Sequence, residues 1–171
     1  MKRLVIVLST ITISTILLCA GVIIYYANKK PIYHTPQIVH TVQISVPLSA
    51  DTIFNLVNTE RIKAGISPLM RDARLDASAQ AKADDMTVNG YFNHISPITG
   101  KHGYELIPKG MCLQNGENIG LATDMAGDNN YDAVNWWMHS KPHHDAILNP
   151  KNMLTGIGVN GAVSVQHFCQ Q

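Results

Sequence analysis

From Leu4 to Ala27 the chain runs for 24 residues without a charged side chain. As a helix rising about 1.5 Å per residue, that run is roughly 36 Å long, against a hydrocarbon core of about 30 Å. Lys2 and Arg3 precede it, Lys29 and Lys30 follow it, and Tyr25 and Tyr26 stand where an interfacial aromatic belt would lie. A cleaved signal peptide has a shorter apolar region and a small-x-small cleavage site, whereas this run ends in Ile-Ile-Tyr-Tyr. Leu18 before Cys19 also argues against lipid modification there. The expectation is an uncleaved N-terminal transmembrane helix, residues 1–30, contacting the membrane through residues 4–27. The bulk of the chain then lies outside the cytoplasm, and is secreted if the segment is cleaved.

Four of the 13 basic residues and none of the 12 acidic ones fall in residues 1–30, so residues 31–171 carry nine against twelve, net −3. That balance gives no reason to seek nucleic acid. The charged fraction of 15% excludes a charged disordered tail.

Residues 31–50 hold three prolines and several β-branched residues, which reads as an extended linker with one strand near Val42–Val46. Residues 51–171 read as one domain. Asp51 caps an expected helix with Ile53, Leu56, Val57 and Ile62 as its apolar positions and Gly65 as its stop. A second helix is expected from Leu75 to Val88, with Leu75, Ala79, Ala83 and Met86 on one face, ended by Asn89-Gly90. Loops dominate residues 93–130, apart from a short strand at Ile119–Ala122. A third helix starts near Tyr131, capped by Asp128 or Asn129, and carries Val134, Trp137 and Met138. Asn160-Gly161 between β-branched stretches signals a terminal hairpin. The order of elements points to the α+β class.

Glycine-rich phosphate motifs, HExxH, GxSxG and paired CxxC are absent. The unusual feature is histidine: six of eight follow residue 93, namely His94, His102, His139, His143, His144 and His167. His94 lies in YFNHISP just after a helix stop, Glu117 in NGENIG between glycines, and His143 in WWMHSKPHHDAIL on the turn after the third helix. Two imidazoles and a carboxylate suit zinc with a fourth position open, or a hydrogen-bonded cluster tying three loops together. The spacing does not choose between them. His102 and His167 read as bystanders.

The series NLVNTERIKAGISPL, YFNHISP, GENIG, WWMHSKPHHDAIL and TGIGV, in order over about residues 51–169, resembles the CAP superfamily of cysteine-rich secretory, antigen 5 and pathogenesis-related proteins. It is similar to the short bacterial SCP-like branch. The resemblance implies a three-layer α-β-α sandwich with a central, mainly antiparallel sheet. It also implies a cleft lined by two His and one or two Glu. The matching positions are His94, Glu117 and His143, with His144 where bacterial relatives often carry Arg. A second family Glu would fall near His139 or Ser140, where this sequence has no carboxylate. Asn58 and Arg61 are expected to tie the first helix to loops, Trp136 or Trp137 to fill the core, and Ser96 and Asn118 to orient the cleft. Cys112 and Cys169, the only cysteines beyond the membrane segment, are expected to pair in an oxidising compartment. A cysteine nucleophile has no matching motif.

The function these readings imply is binding of a ligand or partner, such as a lipid or envelope component, in a His/Glu cleft, with zinc as the candidate metal. A zinc-dependent hydrolase and a structural envelope or adhesion module are the alternatives, and the sequence does not decide whether the protein is an enzyme.

Overall fold

The computed structural model describes residues 46–122 and 128–171. The expected membrane segment, the linker up to residue 45 and the strand proposed at Val42–Val46, except for Val46 itself, lie outside the described residues. Among the described residues no helix is long and apolar enough to cross a membrane.

Helix α1 spans Ala50–Lys63. Its cap is Ser49, in extended conformation, whose hydroxyl accepts from the Thr52 N–H at 3.4 Å. Asp51, expected as the cap, sits in the first turn and pairs with Arg71. Ile53 and Val57 face inward as expected, but Ile62 is 63% exposed. The inward position belongs to its neighbour Arg61. Its guanidinium donates to the carbonyls of Ser67 (2.8 Å), Ile147 (2.6 Å), Asn149 (3.0 Å) and Asn152 (3.2 Å). Loop backbone that helix and sheet leave unpaired is satisfied by one buried cation. Asn58 closes the next turn by exchanging two hydrogen bonds with Leu69. Both residues make the polar ties expected of them.

Strand β1 (Met70–Arg71) leads into α2 (Ala73–Asn89), capped by Asp72. Then follow a 3₁₀ turn (Gly103–Leu106), β2 (Gln114–Leu121), α3 (Asn129–His139), α4 (Lys141–Ile147), β3 (Leu154–Asn160) and β4 (Val163–Gln170). The start of α3 holds the chain before α1: Val46 bridges Asp128, and Asn130 donates to the Pro47 carbonyl at 2.9 Å. The strands form one mixed sheet in the order β1-β3-β4-β2. β1 and β3 are parallel, while β3–β4 and β4–β2 are antiparallel. Gly161, at φ +58°, supplies the left-handed turn of the expected β3–β4 hairpin.

Alternation along the strands divides the core between two sheet faces. Val163, Val165 and Ile119 pack on the Ala79, Ala83 and Met86 stripe of α2, and Leu154 and Cys169 pack on Leu75. Ile157 and Phe168 meet Ile53 and Val57 of α1, Val134 and Trp137 of α3, and Ile147 of α4. Helices therefore cover both faces. The glycines of TGIGV have a steric cause. A Cβ at Gly156 or Gly158 would lie 2.1 or 2.2 Å from the backbone nitrogen of Asp76 or Gln80, so only glycine lets α2 lie this close to β3. Trp137 is the core indole, donating to the Ile119 carbonyl at 2.9 Å, while Trp136 is half exposed.

Cys112 and Cys169 form a disulfide with Cα atoms 5.2 Å apart, fastening the approach to β2 onto the end of β4. Closing a loop over a separation of 57 residues stabilises by about 4 kcal/mol in the loop-entropy account. The double substitution Cys112→Ala, Cys169→Ala is expected to keep the fold and lower the unfolding free energy by about that amount. Urea denaturation of both proteins measures it, and identical midpoints would mean the cross-link adds nothing.

Candidate functional site

Glu117 lies in the middle of β2, directly opposite His167 of β4 in the sheet register. The polar GENIG stretch reads locally as a loop, but the β4 ladder makes it strand. Register fixes the first contact: His167 Nε2 is 3.0 Å from Glu117 Oε2. The second comes from the loop after α2, where His94 Nδ1 is 2.7 Å from Glu117 Oε1. That loop is folded back by an Ile95–His102 bridge and by the Gly103 N–H donating to the His94 carbonyl at 3.0 Å. The Glu117 side chain is 1% exposed and that of His94 44%. A buried carboxylate therefore stands behind an imidazole that reaches solvent.

Burial alone would raise the Glu117 pKa; hydrogen bonds from His167 and then His94 outweigh it and hold the carboxyl below its ordinary range. An ionised carboxylate only accepts, so both facing nitrogens carry protons. His94 donates through Nδ1–H, so that in its neutral form Nε2 carries the free lone pair. His167 donates through Nε2–H. Its Nδ1 is 2.7 Å from Ser78 Oγ, itself 2.9 Å from the Leu75 carbonyl. The Ser78 hydroxyl thus serves His167 as donor or acceptor.

Beneath the carboxylate lies Lys82 of α2, fully buried. Its ammonium donates to the Tyr91 hydroxyl at 3.0 Å and sits 4.8 Å from the centre of that ring, while Tyr91 donates to Asp85. Burial lowers the Lys82 pKa, opposed by the charges of Glu117 and Asp85. Lys82 is the buried counter-charge to both.

His143 lies within α4, not on a turn. Its Nδ1 is 2.7 Å from Ser140 Oγ, and its ring packs 5.0 Å from Trp136, tilted by 47°. Burial lowers its pKa, and His94 lowers it further when its own ring is protonated, so the two imidazoles are within electrostatic reach. Ser140 makes no capping bond to α4, so its hydroxyl is free to accept from His143 Nδ1–H in the tautomer that frees Nε2. Asn118 donates to the His143 carbonyl at 3.3 Å, tying α4 to β2.

The structure brings His94 and Glu117 into hydrogen-bond contact, with His143 within electrostatic reach of His94. Both Glu117 oxygens accept from imidazoles. Among the described residues no three His, Cys, Asp or Glu side chains are grouped to hold a metal ion. Ser96, expected to orient the cleft, is buried in the 96–101 turn, where its hydroxyl accepts from the N–H groups of Ile98 and Thr99. His139 is exposed and contacts the Asn135 carbonyl of its own helix, so it does not replace the second family Glu. His144 pairs with Asp145, and His102 stacks on Tyr104. His167 is no bystander. The signal for it was the β2–β4 register, legible only once the start of β2 is known. Ser78 and Lys82 were visible as polar residues on the inward stripe of α2.

The profile of the cysteine-rich secretory protein (CAP) family matches residues 54–171, and the chain belongs to this family. It is 34% identical to the YkwD protein of Bacillus subtilis (strain 168) over 127 residues, 72% of this chain and 48% of the relative. It is 31% identical to the membrane protein YlbC of the same organism over 128 residues, 72% of this chain and 35% of the relative. The chain thus spans half or less of the length of these curated relatives. An extracellular protein containing a SCP domain from Bacillus anthracis str. Ames shares its fold at a TM-score of 0.64 and 27% identity, over 71% of this chain and 40% of that one. An outer surface protein from Borrelia burgdorferi aligns at a TM-score of 0.62 over 75% of this chain and 99% of that one; at 17% identity the likeness is one of fold.

Because Glu117 has a folded pKa below its ordinary value of 4.5, its contribution is present above that pH and lost as pH falls through the folded value. Glu117→Gln is expected to cost about 3 kcal/mol at neutral pH, since an amide cannot accept from both imidazoles. The variant is also expected to lose part of the acid destabilisation seen in the parent. Urea unfolding at pH 7 and pH 4 reads both; parallel pH dependences would deny Glu117 this role.

Proposed function

We propose that the protein is a membrane-anchored, extracytoplasmic CAP domain that binds its ligand through His94 and His143, with Glu117 holding the His94 ring. The observation that carries this reading is the 2.7 Å contact of His94 Nδ1 with the buried Glu117 carboxylate, which leaves Nε2 without a partner among the described residues. Metal-binding histidines are commonly oriented in this way. Zinc fits the donor set as two imidazole ligands, His94 and His143, completed by water or by groups of a bound molecule. When bound, zinc supplies a Lewis acid. The chain's own contribution is to fix one imidazole tautomer, to leave the other adjustable through Ser140, and to keep Glu117 ionised. Among the described residues the His94 side chain has no hydrogen-bond partner but Glu117, so binding is a better-supported reading than acyl transfer by a serine or cysteine nucleophile.

The uncharged run Leu4–Ala27 supports the anchor, and the disulfide suits an oxidising compartment. Carbonate-washed membranes are expected to retain the full-length chain, with residues 46–171 open to added protease on intact cells. Recovery of a soluble protein starting near residue 28–31 would show cleavage instead.

Calorimetry of the full chain in detergent with zinc tests the site. His94→Ala and His143→Ala are each expected to abolish measurable uptake, and Glu117→Gln to weaken it about tenfold or more. Affinity should fall as pH drops through about 6.5, because imidazole ligands must be deprotonated; the lowered pKa of His143 keeps that ring available to more acidic pH than an ordinary imidazole. No zinc uptake by the parent at pH 7.5 would remove the metal and leave an organic ligand.

A further inference from the structure

We infer that Gly103 is a positioning residue for this site: the missing side chain at 103 makes room for the Glu117 carboxylate between His94 and His167. A Cβ at this position would lie 1.7 Å from Glu117 Oε2, 2.7 Å from its Cδ and 2.8 Å from Lys82 Cγ. Gly103 is buried and opens the 3₁₀ turn. It is not among the glycines at positive φ, which are Gly65, Gly90, Gly100, Gly110 and Gly161. The backbone would therefore accept alanine, and what excludes it is first the Glu117 carboxylate and then, at 2.8 Å, the Lys82 stem.

The crowded atom matters because Oε2 is the oxygen that accepts from His167 Nε2. A carboxylate is ordinarily a mobile end that yields to a methyl group. Here it is fixed on one side by His167 and on the other by His94, with the Lys82 stem beneath. It cannot retreat from residue 103 without breaking one of these contacts. Gly103 also sets the other partner, since its N–H holds the His94 carbonyl at 3.0 Å. One residue thus fixes both sides of the His94–Glu117 contact, and through it the direction of His94 Nε2.

This inference rests on the reading of His94 Nε2 as the binding atom, but its test reads the imidazole without any ligand. Full-length chain with ¹⁵N-labelled histidine, in detergent micelles, is measured by long-range proton–nitrogen correlation. In the parent, His94 is expected as the Nδ1–H tautomer with Nε2 unprotonated. Gly103→Ala is expected to convert that signal to an exchanging mixture of tautomers and to weaken zinc binding about tenfold or more, as loss of an orienting partner does. A folded Gly103→Ala protein with the parental His94 signal would overturn the inference. If Gly103→Ala does not fold, the pair Gly103→Ala, Glu117→Ala decides. Recovery of the fold to the level of Glu117→Ala alone supports the clash with the carboxylate, and failure to recover places the clash elsewhere and overturns it. A changed His94 tautomer in a protein that never bound zinc would uphold the positioning role and reject only the metal.

Discussion

A carboxylate buried midway along the edge strand of a sheet is tolerable only when its charge is met by its neighbours, and Glu117 sets that requirement for this fold. His167 meets it across the strand, His94 from the loop above and Lys82 from the helix beneath. Each partner constrains another part of the chain. The His167 contact needs β2 and β4 in their observed register, since a slip of one residue would turn Glu117 to the other face. Lys82 and Ser78 need the polar rows of α2 to face the same strands as its alanines. His94 needs its loop folded back through Gly103.

The apolar architecture supports this arrangement without crowding it. Small residues on α2 and the glycines of β3 bring helix and sheet close, which keeps Lys82 near the carboxylate and out of water. On the opposite face, Trp137, Phe168 and Ile157 fill the larger space under three helices, and Arg61 gathers the loop carbonyls there. The Glu117, His167 and Lys82 cluster thus lies on the α2 face, where the His94 imidazole reaches solvent.

Much of this was legible in the residues. The stripe of α2 stood out because Leu75, Ala79, Ala83 and Met86 recur at helical spacing, and the last hairpin because Asn160-Gly161 separates β-branched runs. The family motifs carried His94, Glu117 and His143. What stayed hidden depends on pairing over distance. Two-residue β1 exists only through its partner β3, and α4 is seven residues long with Pro142 in its first turn, too short for a periodic signal. Ile62 looked like core by hydropathy, but the loop carbonyls made Arg61 the better neighbour for the interior. His167 looked idle because its role comes entirely from the residue opposite it.

The central claim is the placement of protons: ionised Glu117, with one proton on His94 Nδ1 and one on His167 Nε2, both facing the carboxylate. Neutron diffraction from a deuterium-exchanged crystal at neutral pH locates them directly. Density for deuterium at those two ring nitrogens, with a bare carboxylate between them, is the expected result. Deuterium on either Glu117 oxygen, or on His94 Nε2 with Nδ1 bare, would contradict it.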